Sequence, residues 1–111
     1  MSSSQEVPPA AGAHATGEMT GTLDTSTKVL TYNITYSGLT GPATAAMIHG
    51  PAGATANAPV MYGFKNPASP IKGEVTLSDV TVQAIMSGNA YINVHTDANP
   101  SGELRGQIQK Q

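Results

Sequence analysis

The chain has no cysteine, so no disulfide framework holds it and its stability rests on a packed core. Charge is equally scarce: charged residues are 11% of the total, and five Lys and Arg are too few and too scattered to neutralise a run of phosphates. Nucleic acid is excluded as a partner on that ground. Every apolar stretch is broken by Thr, Gly or Pro well before the roughly 20 residues that a membrane-spanning helix needs, so no membrane span is expected. Tryptophan is absent and aromatic residues are 5% of the chain, which leaves little for an aromatic docking surface. No Gly-x-Ser-x-Gly elbow, no phosphate-cradling glycine loop and no carboxylate pair marked by its setting occurs. Serine hydrolysis, organic-cofactor binding and paired-carboxylate hydrolysis are set aside accordingly.

What the chain does have is 12 Gly and 8 Pro spread along 111 residues, with 39% apolar residues. That composition suits many short strands joined by tight turns, and the length suits one core. Residues 1–4 read as a disordered lead and 5–111 as a single domain. The stretch Lys28-Val29-Leu30-Thr31-Tyr32-Asn33-Ile34-Thr35-Tyr36 alternates cleanly and predicts a strand. Residues 16–23 pair with it as a hairpin across the turn chemistry of Asp24-Thr25-Ser26-Thr27. Further strands are expected at Ala43–His49, 59–64, 71–77, 90–96 and 103–109. One segment departs from this: Ser78 caps a short helix over about 78–87, with Val82, Ile85 and Met86 at helical spacing and Gly88 ending it. The predicted fold is all-β, a Greek-key-like antiparallel sandwich of about seven to eight strands with that one helix. The small-residue loop 52–59 reads as mobile.

Chemistry concentrates at two strand ends. In a strand, residues i and i+2 share a face, so Met47 and His49 point together, as do Tyr91, Asn93 and His95. Should these strands be neighbours, two imidazoles and a thioether converge, a donor set that favours copper, and Cu(I) in particular. The plainer reading is that each histidine bonds a turn backbone and Met47 fills space. Asp97, two residues beyond His95, is placed to orient that imidazole, and the only other histidine, His14, is a candidate fourth ligand.

Gln5-Glu6-Val7-Pro8-Pro9, the run from Leu39-Thr40-Gly41-Pro42 through Ala46-Met47-Ile48-His49-Gly50-Pro51, and the closing Tyr91-Ile92-Asn93-Val94-His95-Thr96 with Asn99-Pro100-Ser101-Gly102-Glu103-Leu104-Arg105-Gly106 together resemble the CHRD family. The likeness covers nearly the whole chain. It implies an all-β sandwich of a type common in bacterial secreted or envelope proteins, hence a periplasmic or extracellular location with the export signal removed. Where family members often read Ala-His-Ile-His-Gly, this chain has Met47, which implies either a lost site or a softer His2Met one. A more distant likeness is to copper-zinc superoxide dismutase. It implies Met47, His49 and His95 at copper-ligand positions and Arg105 as a cation steering a small anion to the metal.

Two functions are therefore expected. The first is a copper-binding protein for metal handling or superoxide-type redox chemistry. The second is a metal-free extracellular module that presents a surface to a protein or polysaccharide, with Tyr62 and Phe64 as the aromatic anchors. Thr-rich edge strands also allow a homodimer that shares a metal between copies.

Overall fold

A computed structural model describes residues 1–2, 5–6, 15–53, 56–100 and 102–108. Seven strands and one helix follow in the order β1 (Thr16–Asp24), β2 (Val29–Ser37), β3 (Ala43–His49), β4 (Val60–Gly63), β5 (Ile71–Thr76), α1 (Asp79–Met86), β6 (Tyr91–Thr96) and β7 (Leu104–Gln107). They form two antiparallel sheets, β1-β2-β5 and β4-β3-β6-β7, and the sandwich does not close into a barrel. The expected strands are all present, each within three residues of its expected ends.

The alternation in β2 does what its pattern requires. Leu30 and Ile34 face inward with 4% and 0% exposure, while Thr31, Asn33 and Thr35 face solvent. Ile71 joins them from β5, and the opposite sheet contributes Ala46, Ile48, Ile92, Val94 and Leu104. Burying each of these larger aliphatic side chains stabilises the fold by about 1.5–3 kcal/mol. Helix α1 starts where Ser78 accepts a hydrogen bond from the Thr81 amide, and the chain leaves it through Gly88 at φ 79°. Its buried side is Thr81, Val82, Ala84 and Ile85; Met86, expected on that side, is 38% exposed.

Residues 1–4 were expected as a disordered lead. Met1 donates its ammonium to the Gly17 carbonyl, and Ser2 pairs with both Thr16 and Arg105, bridging edge strands β1 and β7. Ser3 and Ser4 lie outside the described residues. Loop 52–59, expected to be mobile, is tied down over its described part. The Ala52 amide donates to Asn89, Gln107 donates to the Ala52 carbonyl, and Arg105 holds Gly53, Ala56 and Asn57.

The aromatic residues expected as surface anchors are packed instead. Phe64 is 7% exposed and meets Tyr32 and Tyr62 edge-on at 4.9 and 5.2 Å. With so few aromatics in the chain, the core takes them.

Candidate metal centre

The four-stranded sheet buries its inner face and part of its outer one. Its inner face carries the aliphatic core. Its outer face carries the odd-numbered residues: Ala45, Met47 and His49 on β3, Tyr91, Asn93 and His95 on β6, Arg105 and Gln107 on β7. Tyr91, Asn93 and Arg105 are 2%, 4% and 1% exposed although they sit on this outer side. The cover comes from Glu6 and, in loop 52–59, from Gly53, Ala56, Asn57 and Ala58, which lie against them.

Strands β3 and β6 are antiparallel neighbours, with Ala45 opposite His95, Met47 opposite Asn93 and His49 opposite Tyr91. His49 and His95 therefore sit on a diagonal with Met47 and Asn93 between them. The two imidazole rings approach to 6.3 Å between centroids and lie within 10° of parallel. The juxtaposition expected from spacing is present, with Met47 half-buried on the same face.

Each ring is held by one nitrogen. His49 Nδ1 lies 2.9 Å from the Ala58 carbonyl and His95 Nδ1 lies 2.7 Å from the Pro100 carbonyl. A carbonyl only accepts, so both Nδ1 atoms carry the proton, and in the neutral rings both Nε2 atoms carry a lone pair. Those two Nε2 atoms are buried and have no hydrogen-bond partner. Burial is the main reason His49 titrates below the usual histidine range; the nearby His95 and Arg105 add to that, and the bond to Ala58 opposes it. His49 thus keeps its lone pair over a wider pH range than a free imidazole.

The residues around this pair differ from expectation in two respects. Asp97 is exposed, and the group that orients His95 is the Pro100 carbonyl, because the turn after β6 folds its backbone back under the ring. Arg105 is no surface cation. Its guanidinium lies 3.6 Å over the Tyr91 ring and donates to Asn57 Oδ1, the Gly53 carbonyl and the Ala56 carbonyl, so it is not free to meet an incoming anion. His14 falls outside the described residues.

Two participants had no role assigned from the sequence. Tyr91 stacks on His49 at 5.0 Å and 5°. Glu6, from the Gln5-Glu6-Val7-Pro8-Pro9 segment, is 6% exposed, and Asn93 Nδ2 donates to both its oxygens at 2.8 Å. Burial pushes its carboxyl up to about 7, against the opposing pull of Asn93 and Arg105. No periodic pattern marks Glu6; the family wording around it was the one available signal.

Glu103 is fully buried and gathers bonds from the Thr40 amide and hydroxyl, the Thr96 hydroxyl and the Asn99 amide, tying the loop after β2 to the turn before β7. Among the described residues, no three His, Cys, Asp or Glu side chains gather to hold a metal. The nitrogen donors available are the two imidazoles.

A two-sheet antiparallel sandwich with a buried polar outer face and an orphaned histidine pair defines the class of this domain. The family model for the CHRD domain matches residues 1–108, and the chain belongs to that family. No curated protein and no solved structure matches it, so the likeness to copper-zinc superoxide dismutase finds no support there. Among the described residues, no helix is long and apolar enough to cross a membrane.

Proposed function

We propose that this CHRD domain is a secreted or periplasmic copper-binding module whose His49 and His95 hold a single Cu(I) ion, with the Met47 thioether as third donor. The observation that carries the reading is the pair of buried Nε2 lone pairs without partners, each on a ring whose Nδ1 is fixed by a backbone carbonyl. A buried acceptor left without a partner costs about 1–3 kcal/mol, and two on rings whose centroids are 6.3 Å apart are best understood as waiting for a shared one. A carbonyl behind each imidazole is the usual arrangement behind a metal-bound histidine.

The donor set decides the metal. Two imidazoles and a thioether suit a soft monovalent ion, whereas zinc takes four nitrogen, sulfur or carboxylate donors and calcium or magnesium take oxygens. Copper bound there would supply a soft Lewis acid with an accessible one-electron couple. The chain's own part is to hold the two nitrogens dry and correctly protonated.

Metal handling is favoured over superoxide chemistry, since the cation expected to steer an anion has its donors engaged by the loop. A metal-free docking module lacks a comparable observation, because its expected anchors Tyr62 and Phe64 pack against each other.

The test is titration of the purified protein with Cu(I), and with Ag(I) as a redox-inert substitute, against competing chelators. Sub-micromolar binding to the native chain, lost in His49→Ala and His95→Ala and weakened in Met47→Leu, supports the site. Failure of the native protein to compete with the chelators refutes it. Repeating the titration at two protein concentrations separates a site within one chain from one completed by a second copy.

A further inference from the structure

Arg105 is the largest fully buried side chain in the domain, yet no salt bridge accompanies it among the described residues. Burying a guanidinium without a bonded carboxylate is costly, so its contacts need a reason. They run in two directions, and both end at His49.

The first route is a column of flat groups. The Arg105 guanidinium lies 3.6 Å over the Tyr91 ring, Tyr91 stacks on His49 at 5.0 Å and 5°, and His49 faces His95 at 6.3 Å and 10°. The second route is the loop. Arg105 donates from Nη1 to Asn57 and from Nη2 to the Gly53 and Ala56 carbonyls at 2.7–3.0 Å. The next residue, Ala58, donates its amide to the Tyr91 oxygen and offers its carbonyl to His49 Nδ1.

We propose that Arg105 is a positioning residue, which fixes His49 in the tautomer that protonates Nδ1 and leaves the lone pair on Nε2. The guanidinium pins Gly53, Ala56 and Asn57 so that the Ala58 carbonyl meets the ring, and it backs Tyr91 so that the ring cannot tilt away. A planar fork with several fixed donors is required for this; the ammonium of lysine is a single point and cannot reach three acceptors while stacking on a phenol ring. Without the clamp the Ala58 carbonyl is free to withdraw, and a proton on Nε2 occupies the position a metal needs. The proposal rests on the copper reading for its purpose, although the tautomer itself is measurable without metal.

The experiment is long-range nitrogen–proton NMR on the full, metal-free, 15N-labelled chain at about pH 8.5, well above the ordinary histidine range. The native protein, Arg105→Lys, Tyr91→Phe and Asn57→Ala are compared. The native His49 should give one tautomer, protonated at Nδ1. Arg105→Lys should give a mixture with substantial protonation at Nε2, while His95, anchored on Pro100, keeps its native pattern as an internal control. Tyr91→Phe keeps the stack and loses the hydroxyl, and Asn57→Ala removes one contact of the clamp, so each should give a smaller change in the same direction. A His49 pattern identical to native in folded Arg105→Lys overturns the proposal. Should that variant fail to fold, an unchanged pattern in both Tyr91→Phe and Asn57→Ala overturns it equally.

Ag(I) affinity is measured on the same samples, and the arginine variant should lose on the order of ten- to a hundred-fold. If the native chain binds no Ag(I) but the tautomer still shifts, the metal reading fails and the positioning role stands. If binding is tight and the tautomer is insensitive to the clamp, the positioning role fails and the metal site stands.

Discussion

Replacing Glu6 by glutamine changes one buried carboxyl into a neutral group of the same shape, and the consequence follows from its surroundings. The Glu6 carboxyl is 6% exposed and receives one donor group, Asn93 Nδ2, while Asn93 Oδ1 is buried with no partner. A protonated Glu6 carries the hydrogen that Asn93 Oδ1 lacks, and so does a glutamine amide. With the carboxyl raised from its ordinary 4.5 to about 7, the folded state holds a proton that the unfolded chain has released between those values. Stability contributed by Glu6 is therefore complete below pH 4.5, declines as pH rises toward 7 and is lost above it. The full loss is about 3 kcal/mol, at about 1.4 kcal/mol for each tenfold difference in proton affinity.

His49 works in the opposite direction. Its lowered value means that the unfolded chain takes up a proton first as pH falls, so its contribution is present at neutral pH and declines below the ordinary histidine value of 6.5. The native protein should consequently show a shallow pH profile between 5 and 8 in which the two slopes oppose. The difference between native and Glu6→Gln removes the histidine contribution. In urea denaturation monitored by circular dichroism, that difference should be near zero at about pH 4.5 and grow to about 3 kcal/mol in favour of the variant at about pH 8.5. In thermal melts, the variant should gain roughly 10 °C at the upper pH. A difference that stays constant across this range would mean that the Glu6 carboxyl is solvated in the folded protein, and the reasoning above would fail with it.

Gly102 adopts φ +128°, and a Cβ there would lie 2.6 Å from both Asn93 amide atoms and 2.7 Å from Glu6 Oε2. Gly102→Ala should therefore cost about 2–4 kcal/mol by denaturant unfolding and expose Glu6, returning its pH dependence toward that of an ordinary carboxyl. Burial acts to raise the Glu103 carboxyl, but hydrogen bonds from Thr40, Thr96 and Asn99 outweigh it and hold the group below its usual value of 4.5. Its stabilisation is present above that value and lost as pH falls below it, so Glu103→Gln should cost about 2–3 kcal/mol at neutral pH and clearly less at about pH 3. Lys28 holds a left-handed backbone at φ 63° where β1 turns into β2, and its ion pair with Asp79 is exposed. Lys28→Gly should raise stability by about 1 kcal/mol in the same assay, because strain relief exceeds what an exposed pair contributes. A destabilised variant would show that the ion pair outweighs the strain.

The strands were legible because their period-two pattern reports burial against a single core. Leu30 and Ile34 alternate with Thr31 and Asn33, and the two sheets follow from that. The histidine pair was legible for a related reason: a strand-end residue two positions from another shares its face, and β3 happens to pair with β6 so that the faces meet. What the same logic misjudged is the outer face of the second sheet. Asn93 and Arg105 occupy positions where a half-buried sheet meets water, and a charged residue there is ordinarily exposed. They are buried because two stretches without periodicity cover them. Glu6 reaches Asn93 across 87 positions in sequence, and loop 52–59 is drawn down by the guanidinium it covers.

That difference between the two faces carries the functional argument. The inner face is apolar and forms the core, so its side chains are accounted for by stability. The outer face buries a carboxyl, an amide, a guanidinium and a phenol beside two half-buried imidazoles, which is the arrangement a domain of this size has least reason to adopt for stability. Arg105, Tyr91, Glu6 and Asn93 each find partners among themselves and the covering segments. The two imidazole Nε2 atoms, the Asn93 carbonyl and the Gln107 side-chain carbonyl do not. Protonation of Glu6 would bring a donor beside Asn93, and the Gln107 carbonyl is an acceptor of weak affinity for a soft cation; nothing among the described residues partners the imidazoles, so the requirement that bears on a metal is two nitrogens with their lone pairs fixed. A soft cation meets that requirement with the fewest additional donors, and Met47 on the same face supplies the next one.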